Sequence, residues 1–388
     1  MGKTMLARVV FIFLIMPFFL IAQSVKDTLK VELKEKEKEK EVVYPKFKFK
    51  GLLQVRFLGS ITDNVDVLGV QHTTGEVTRS SFDIKRMRVS VAANLSEHTE
   101  VVVLVNLADF KSDPQNKVLE NAYAKYTFNK YIAFTGGQFR PGFGIEESVP
   151  VDIIKSFDFS NQYYEFGKNG WTSFQIGASM TGSADLGNIP VNYAVSVLNG
   201  NGRNQNMDKD SGKQYSTRVV FGLLKKHHLN LGLNGGTGKV YTSDVFALGA
   251  DIAADFKLTD KLSLDTQFEI KQGTNHNLYY SLPVDARTAN VNDYQMRGLY
   301  FLPNFRYVIN YKKLTSLEFS ARYEYFDSSF KVDSNVRQTL TPMLSLEFGK
   351  AYTGRIEMGV EIDRYTKNIP NTSYYDKELF IIQFQCRL

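Results

Sequence analysis

Two short stretches set basic side chains at every second position: FKFK, with Lys48 and Lys50, and RMRV, with Arg86 and Arg88. In an extended chain, residues two apart share a face, so each stretch presents a row of fixed positive charge. Such a row breaks no bonds; it raises the local concentration of anions beside it. Arg56, Lys125, Arg140, Arg218, Arg306 and Arg322 qualify in the same way, each on the polar side of an alternating segment. A second group lies in one long connection that begins at a P-G-F-G corner, 141–144. It combines Glu146, Glu147, Asp152 and Asp158 with Phe157, Phe159, Tyr163, Tyr164 and Phe166. Acids and clustered rings in a loop need a surface to pack on. If the loop turns inward they narrow a passage opposite the basic rows; if not, they form a surface lid.

Catalytic and metal chemistry find little support. The five histidines, His72, His98, His227, His228 and His276, fall in loops and turns without a partner at metal-ligand spacing. No Ser–His pair with an orienting acid falls on a confident strand. The run MDKDSG, 207–212, starts like a calcium loop, but its Gly comes one place early and no Glu follows at the required distance. Cys386 is the single cysteine, so no intramolecular disulfide forms, and its place in an apolar row suits a small hydrophobe. The sequence therefore predicts no catalytic residues, no metal and no cofactor.

The elements that position the charges show a period of two. From Phe47 onward, apolar and polar residues alternate in sixteen segments, near 47–61, 82–96, 98–109, 118–130, 131–144, 172–184, 189–202, 213–225, 228–240, 246–260, 262–274, 295–309, 314–329, 336–350, 351–367 and 375–388. Many reach the ~9–11 residues that a tilted strand needs to cross a bilayer. Short polar turns (LSEHT, FNKY, ADLGN, LKKHH, KLTDK, YKKLT, FGKAY) alternate with long connections such as 62–81, 145–171, 201–212 and 275–294. A soluble sandwich has no reason to sort its loops to two ends. A transmembrane antiparallel β-barrel with an even strand number has, with short periplasmic turns and long external loops. The fold class expected is all-β, a barrel of about sixteen strands over residues 47–388, with lipid outside and water inside.

The start of the chain agrees with that compartment. Lys3 and Arg8 precede an apolar run, Val9–Ala22, which is the layout of a secretory signal peptide over residues 1–22. Its removal would leave 45 basic against 41 acidic residues, too mild an excess to suggest nucleic acid. Residues 23–46 alternate Lys and Glu with almost nothing to bury, a charged periplasmic linker or a partner-binding arm.

The stretches RSSFDIKRMRVSVAANLSEHTEVVVLVNLAD and LENAYAKYTFNKYIAFTGGQFRPGFGIEE resemble the phosphate-selective porin O/P family of Gram-negative outer membranes. The likeness rests on Arg86 and Arg88, on Ala122 and Tyr123, and above all on Gly137–Gly144. The segment SFDFSNQYYEFGKNGWTSFQIG lacks the E-R pair and the R-x-x-G strand start common in that family. The resemblance implies a sixteen-stranded homotrimeric channel, often anion- or phosphate-selective. The expected function is passive diffusion of small hydrophilic solutes with a modest anion preference. The rival is a plugged barrel that docks a partner in an outer-membrane complex. In the lumen, the basic rows either stand free or cancel against cross-strand acids. The last strand, apolar at every second place from Phe380 to Leu388, resembles the signal read by barrel-assembly machinery.

Overall fold

The computed structural model describes residues 43–110, 118–204, 210–349 and 352–387. The signal peptide, residues 23–42 of the linker, positions 207–209 of the calcium-like run and Leu388 lie outside them. The described chain from Tyr44 onward forms a closed antiparallel barrel. Its strands are β1 (Lys46–Ser60), β2 (Ser80–Asn94), β3 (Thr99–Asn106), β4 (Leu119–Thr127), β5 (Ala133–Phe139), β6 (Gln175–Leu186), β7 (Ile189–Leu198) and β8 (Gln214–Leu224). They continue as β9 (Leu229–Val240), β10 (Ser243–Lys257), β11 (Leu262–Thr274), β12 (Gln295–Tyr311), β13 (Leu314–Asp327), β14 (Arg337–Phe348), β15 (Gly354–Tyr365) and β16 (Lys377–Arg387). Each strand pairs with its sequence neighbours, and β1 pairs with β16 over Leu52–Ser60 to close the wall.

Closure explains the strict alternation at the chain's end. Val55 stands opposite Phe384 and Phe57 opposite Ile382, and no backbone donor at this seam faces hydrocarbon unpaired. The outward rows are apolar and exposed, for example Phe268, Phe301, Phe305, Phe319, Tyr323 and Phe384. The inward rows are polar and buried: Glu318, Ser320, Arg322 and Glu324 on β13 are each 5% exposed or less. Such an inversion of the soluble pattern requires a lipid exterior.

Two features depart from regular alternation. Between Gln54 and Val55 the β1–β2 register slips, so that Gln54 faces Arg86 and Val55 faces Ile84, leaving Lys85 as an extra residue. Between Leu104 and Val105 the β3–β4 register slips likewise, leaving Glu120 extra. Both are β-bulges, which re-aim the side chains around them. The loop pattern is also less regular than expected. The β9–β10 connection, at the long-loop end, is only Tyr241 and Thr242, with Val240 paired to Ser243. Tyr241 takes the left-handed conformation (φ 53°) that a two-residue hairpin turn requires.

Candidate functional site: the lumen and its inward segment

The connection after β5, expected over 145–171, enters the barrel at Arg140 and leaves it at Phe174. Gly144 makes the entry possible: its φ is +105°, and a Cβ there would collide with the Glu269 carboxylate. Apolar contacts then fix the segment to the inner wall. Phe143, Phe166 and Trp171 pack with Val245, Ala247, Met296 and Phe326. Val151, Ile154, Phe159 and Tyr163 pack on Leu52, and Phe157 packs with Leu58, Val67, Met343 and Ile381. Trp171 is fully buried, so this anchoring matches a soluble core in kind.

Polar contacts complete the seating. The Gly144 and Ile145 amides donate to Asn234 and Glu269, both at 2.9 Å. The Asn161 amide donates to Glu324 at 2.6 Å, at the start of the short helix α1 (Asn161–Lys168), which Ser160 caps. Lys155 reaches Glu318 at 2.9 Å, and Arg322 donates to the Asp158 carbonyl at 2.6 Å. Glu146 accepts from the Ser160 amide and hydroxyl (2.7 and 2.5 Å), while Glu147 accepts from the Ser173 amide at 2.6 Å. Burial pushes both carboxyls up, each to about 7. The nearby charge of Glu269 adds to the rise at Glu146, whereas Arg140 opposes it at Glu147. Asp158 goes the other way: burial would raise it, but Arg86 and Lys85 hold it well below the usual carboxylate range.

The basic residues expected to line the lumen fall into three groups. Lys48 and Lys50 border an open recess and, among the described residues, have no ion-pair partner; Lys125 stands opposite Glu100 in the β3–β4 register. Most of the others are paired. Arg56 meets Asp83 at 2.7 Å, Arg86 meets Asp158 at 2.5 Å, and Arg88 meets Glu120 at 2.7 Å. Arg218 grips Asp251 at 2.5 and 2.9 Å, Arg306 meets Glu347 at 2.7 Å, and Arg322 meets Glu324 at 2.7 Å. Arg140 belongs elsewhere, since β5 ends at Phe139 and Pro141 cannot extend the ladder. It binds Glu147 at 3.1 Å and donates to the Glu146 and Val149 carbonyls, staying inside the inward segment.

Regular alternation along the first five strands would point a single acid, Glu100, inward. The bulges correct this. Asp83, Lys85 and Glu120 also point inward, because one extra residue on β2 and one on β4 shifts the pleat. Arg203, in the β7–β8 connection, joins the same cluster, 3.2 Å from Glu120 and 3.0 Å from Asp109. Asp152 pairs with Arg387 at 2.7 Å, and the Tyr164 hydroxyl donates to Asp158 at 2.5 Å. Tyr163 is buried and stacks on Phe159, with ring centroids 4.3 Å apart.

The inward segment packs on β1 and on β9–β16, and two recesses remain beside it along β1–β4. On the short-turn side a recess of about 400 Å³ is lined by Lys48, Lys50, Arg88, Arg140 and Arg387 against Glu100, Glu147 and Asp152. On the long-loop side a recess of about 460 Å³ is lined by Lys85, Arg86, Arg88, Arg203, Tyr164 and Phe174, among others. Arg88 and Phe174 belong to both. They stand on the border that the two recesses share.

A closed sixteen-strand barrel with an apolar exterior, a charged lumen and an inward segment at mid-height defines a porin. The particular family follows from sequence. The model of the phosphate-selective porin O and P family matches residues 64–271, and the chain belongs to that family. It is thus a protein of the Gram-negative outer membrane, where porins form channels for small solutes. A search of curated protein sequences found no match. Solved structures share the fold. An anion-selective porin from Comamonas acidovorans is 6% identical, covering 89% of this chain and all of its own, with a TM-score of 0.56. A loop-deleted OmpT of Vibrio cholerae (12% identity, 89% and 99% covered, TM-score 0.55) and the channel DcaP of Acinetobacter baumannii (12%, 89% and 97%, TM-score 0.53) are similar to the same extent.

Proposed function

We propose that the protein is a passive diffusion channel, not an enzyme, for small hydrophilic solutes with a modest preference for anions, phosphate among them. The observation that supports this is the basic border: the recesses on either side of the inward segment share Arg88 in their linings, on the wall with Lys48, Lys50, Lys85 and Arg86. Five basic side chains line the periplasmic recess against three acids, and Lys48 and Lys50 among them have no ion-pair partner among the described residues. Fixed positive charge there enriches anions, and more so at low salt. The constricting role falls to the segment with Glu146, Glu147, Asp152, Tyr163 and Tyr164. In this reading residues 1–22 are a signal peptide, 23–46 a periplasmic linker, and barrel-assembly machinery inserts the last strand. The working unit is a homotrimer.

Planar bilayers test the proposal. Purified protein should give ohmic current steps, and a KCl gradient should give a reversal potential of the sign set by chloride. The extensive seating of the inward segment on both β1 and β10–β16 favours one rival, a plugged barrel that docks a partner. Absence of steady current steps would support that rival instead.

A further inference from the structure

Strands β10 and β11 set two pairs of acids face to face on the lumen side, Asp251 opposite Glu269 and Asp255 opposite Asp265. Like charges directly opposite in a ladder repel, so each pair calls for a compensating charge. The first pair has its own: Arg218 holds Asp251 at 2.5 Å, and Lys271 lies 3.2 Å from Glu269. The second pair is built differently. Among the described residues, neither Asp255 nor Asp265 has a lysine or arginine at ion-pair distance. Asp255 has the exposed ring of His228 at 3.3 Å, and Asp265 accepts from the Asn304 amide at 3.2 Å. Lys155, whose charge reaches Asp265, is already bound to Glu318 at 2.9 Å.

Neutral oxygens continue the row. The ladder runs Asp255, Asp265, Asn304, Ser320 straight across β10–β13. Asn304 Oδ1 and Ser320 Oγ have no hydrogen-bond partner among the described residues, although each residue is only 1% exposed. Beside the row lies a recess of about 260 Å³, lined by Asp255, Asp265, Gln267 and, from the inward segment, Ser156. Ser156 is 2% exposed, and its hydroxyl likewise has no partner among the described residues. Leaving such buried oxygens unbonded is costly. Two carboxylates flanked by neutral oxygens form the donor set of a hard cation. Neighbouring strands lie ~4.7–4.9 Å apart, so adjacent side chains of one row can share an ion held ~2.3–2.6 Å from each oxygen. No group of three His, Cys, Asp or Glu side chains converges at a metal site among the described residues, so much of the shell would be water and binding weak.

We propose that Asp255 and Asp265 bind a hard divalent cation of the calcium type, with water and the Ser156 and Asn304 oxygens completing its shell. The Asn304 amide, turned over, offers Oδ1 where it now donates. A bound ion neutralises the acid pair. The site needs only access to water, so it stands whether the lumen conducts or is plugged. Calorimetry with calcium chloride on the purified protein in detergent tests it. The wild type should show one site in the ~10⁻⁴–10⁻³ M range of extracellular calcium modules. Asp255→Asn and Asp265→Asn should each weaken it at least tenfold, and Ser156→Ala, outside the ladder, about threefold. Both asparagine changes relieve repulsion within the wall, so heat-modifiable migration on gels should persist and report a folded barrel. Glu100→Gln, on the opposite wall, should leave calcium affinity unchanged. Wild-type protein that binds no calcium at millimolar concentration would overturn the assignment. So would calcium binding indifferent to Asp265→Asn and Ser156→Ala, as residual lipid phosphate would give.

Discussion

Acidification should sharpen anion preference, and Glu147 is the group to watch. Its carboxyl lines the periplasmic recess, 3.1 Å from Arg140, and titrates near 7 because burial penalises its charge. Above that pH the recess carries five basic groups against three acids; below it, Glu147 is neutral and the excess grows from two to three. The effect can be estimated by Coulomb's law. For an anion ~7 Å away, removing one negative charge in a water-like medium is worth about 0.6 kcal/mol, which screening at 0.1 M salt roughly halves. A cation loses as much as the anion gains, so the anion-to-cation permeability ratio should rise about threefold. Reversal potentials in a KCl gradient, taken from pH 8 to pH 6, measure this directly. Glu147→Gln keeps an acceptor for the Ser173 amide and should behave at pH 8 as the wild type does at pH 6. A variant that still shows the full wild-type rise on acidification would sink the reasoning. The same shift has a stability consequence. The folded chain holds this proton up to about pH 7, whereas an unfolded chain releases it near 4.5, so stability falls as pH rises through that window.

Other consequences can be checked separately. Lys48→Glu with Lys50→Glu turns the periplasmic recess from a basic excess of two to an acidic excess of two, and reversal potentials should change sign. Trp171→Ala removes a fully buried indole, a loss of about 3–5 kcal/mol, from the contact that pins the inward segment; single-channel current should become larger and noisier, and an unchanged trace would mean the segment does not set the bore. Because every strand is paired on both sides, the barrel should resist SDS until boiled, with unheated and boiled samples migrating differently on gels.

Much of the fold was legible because a lipid-facing wall enforces a period of two. All sixteen expected segments overlap the observed strands, from Lys46–Ser60 to Lys377–Arg387, since each needs an apolar row for the membrane and a polar row for water. The charge pairs were not legible. Asp83 and Glu120 sit where alternation points them outward, and only the bulges at Lys85 and Glu120 reverse that. A bulge leaves no periodic mark; it interrupts one. Arg140 looked like a wall residue because the pattern runs on through it, yet the ladder already stops at Phe139, ahead of Pro141. The β9–β10 hairpin was expected to be longer, but no physical rule demands length of an external loop, only of a segment that must reach something.

The two bulges also bear on how such a wall changes over generations. Lys85 lies between outward Ile84 and inward Arg86, and Glu120 between Leu119 and Asn121, each as the surplus residue of its strand. Deleting either one restores regular pleating without turning any neighbour to the other face. The apolar exterior would survive intact while the lumen lost a charge. Charge on this wall can therefore be gained or lost by single-codon insertion or deletion, at no cost to the lipid-facing row. In aligned relatives, variation at these two places should take the form of gaps more often than of substitutions.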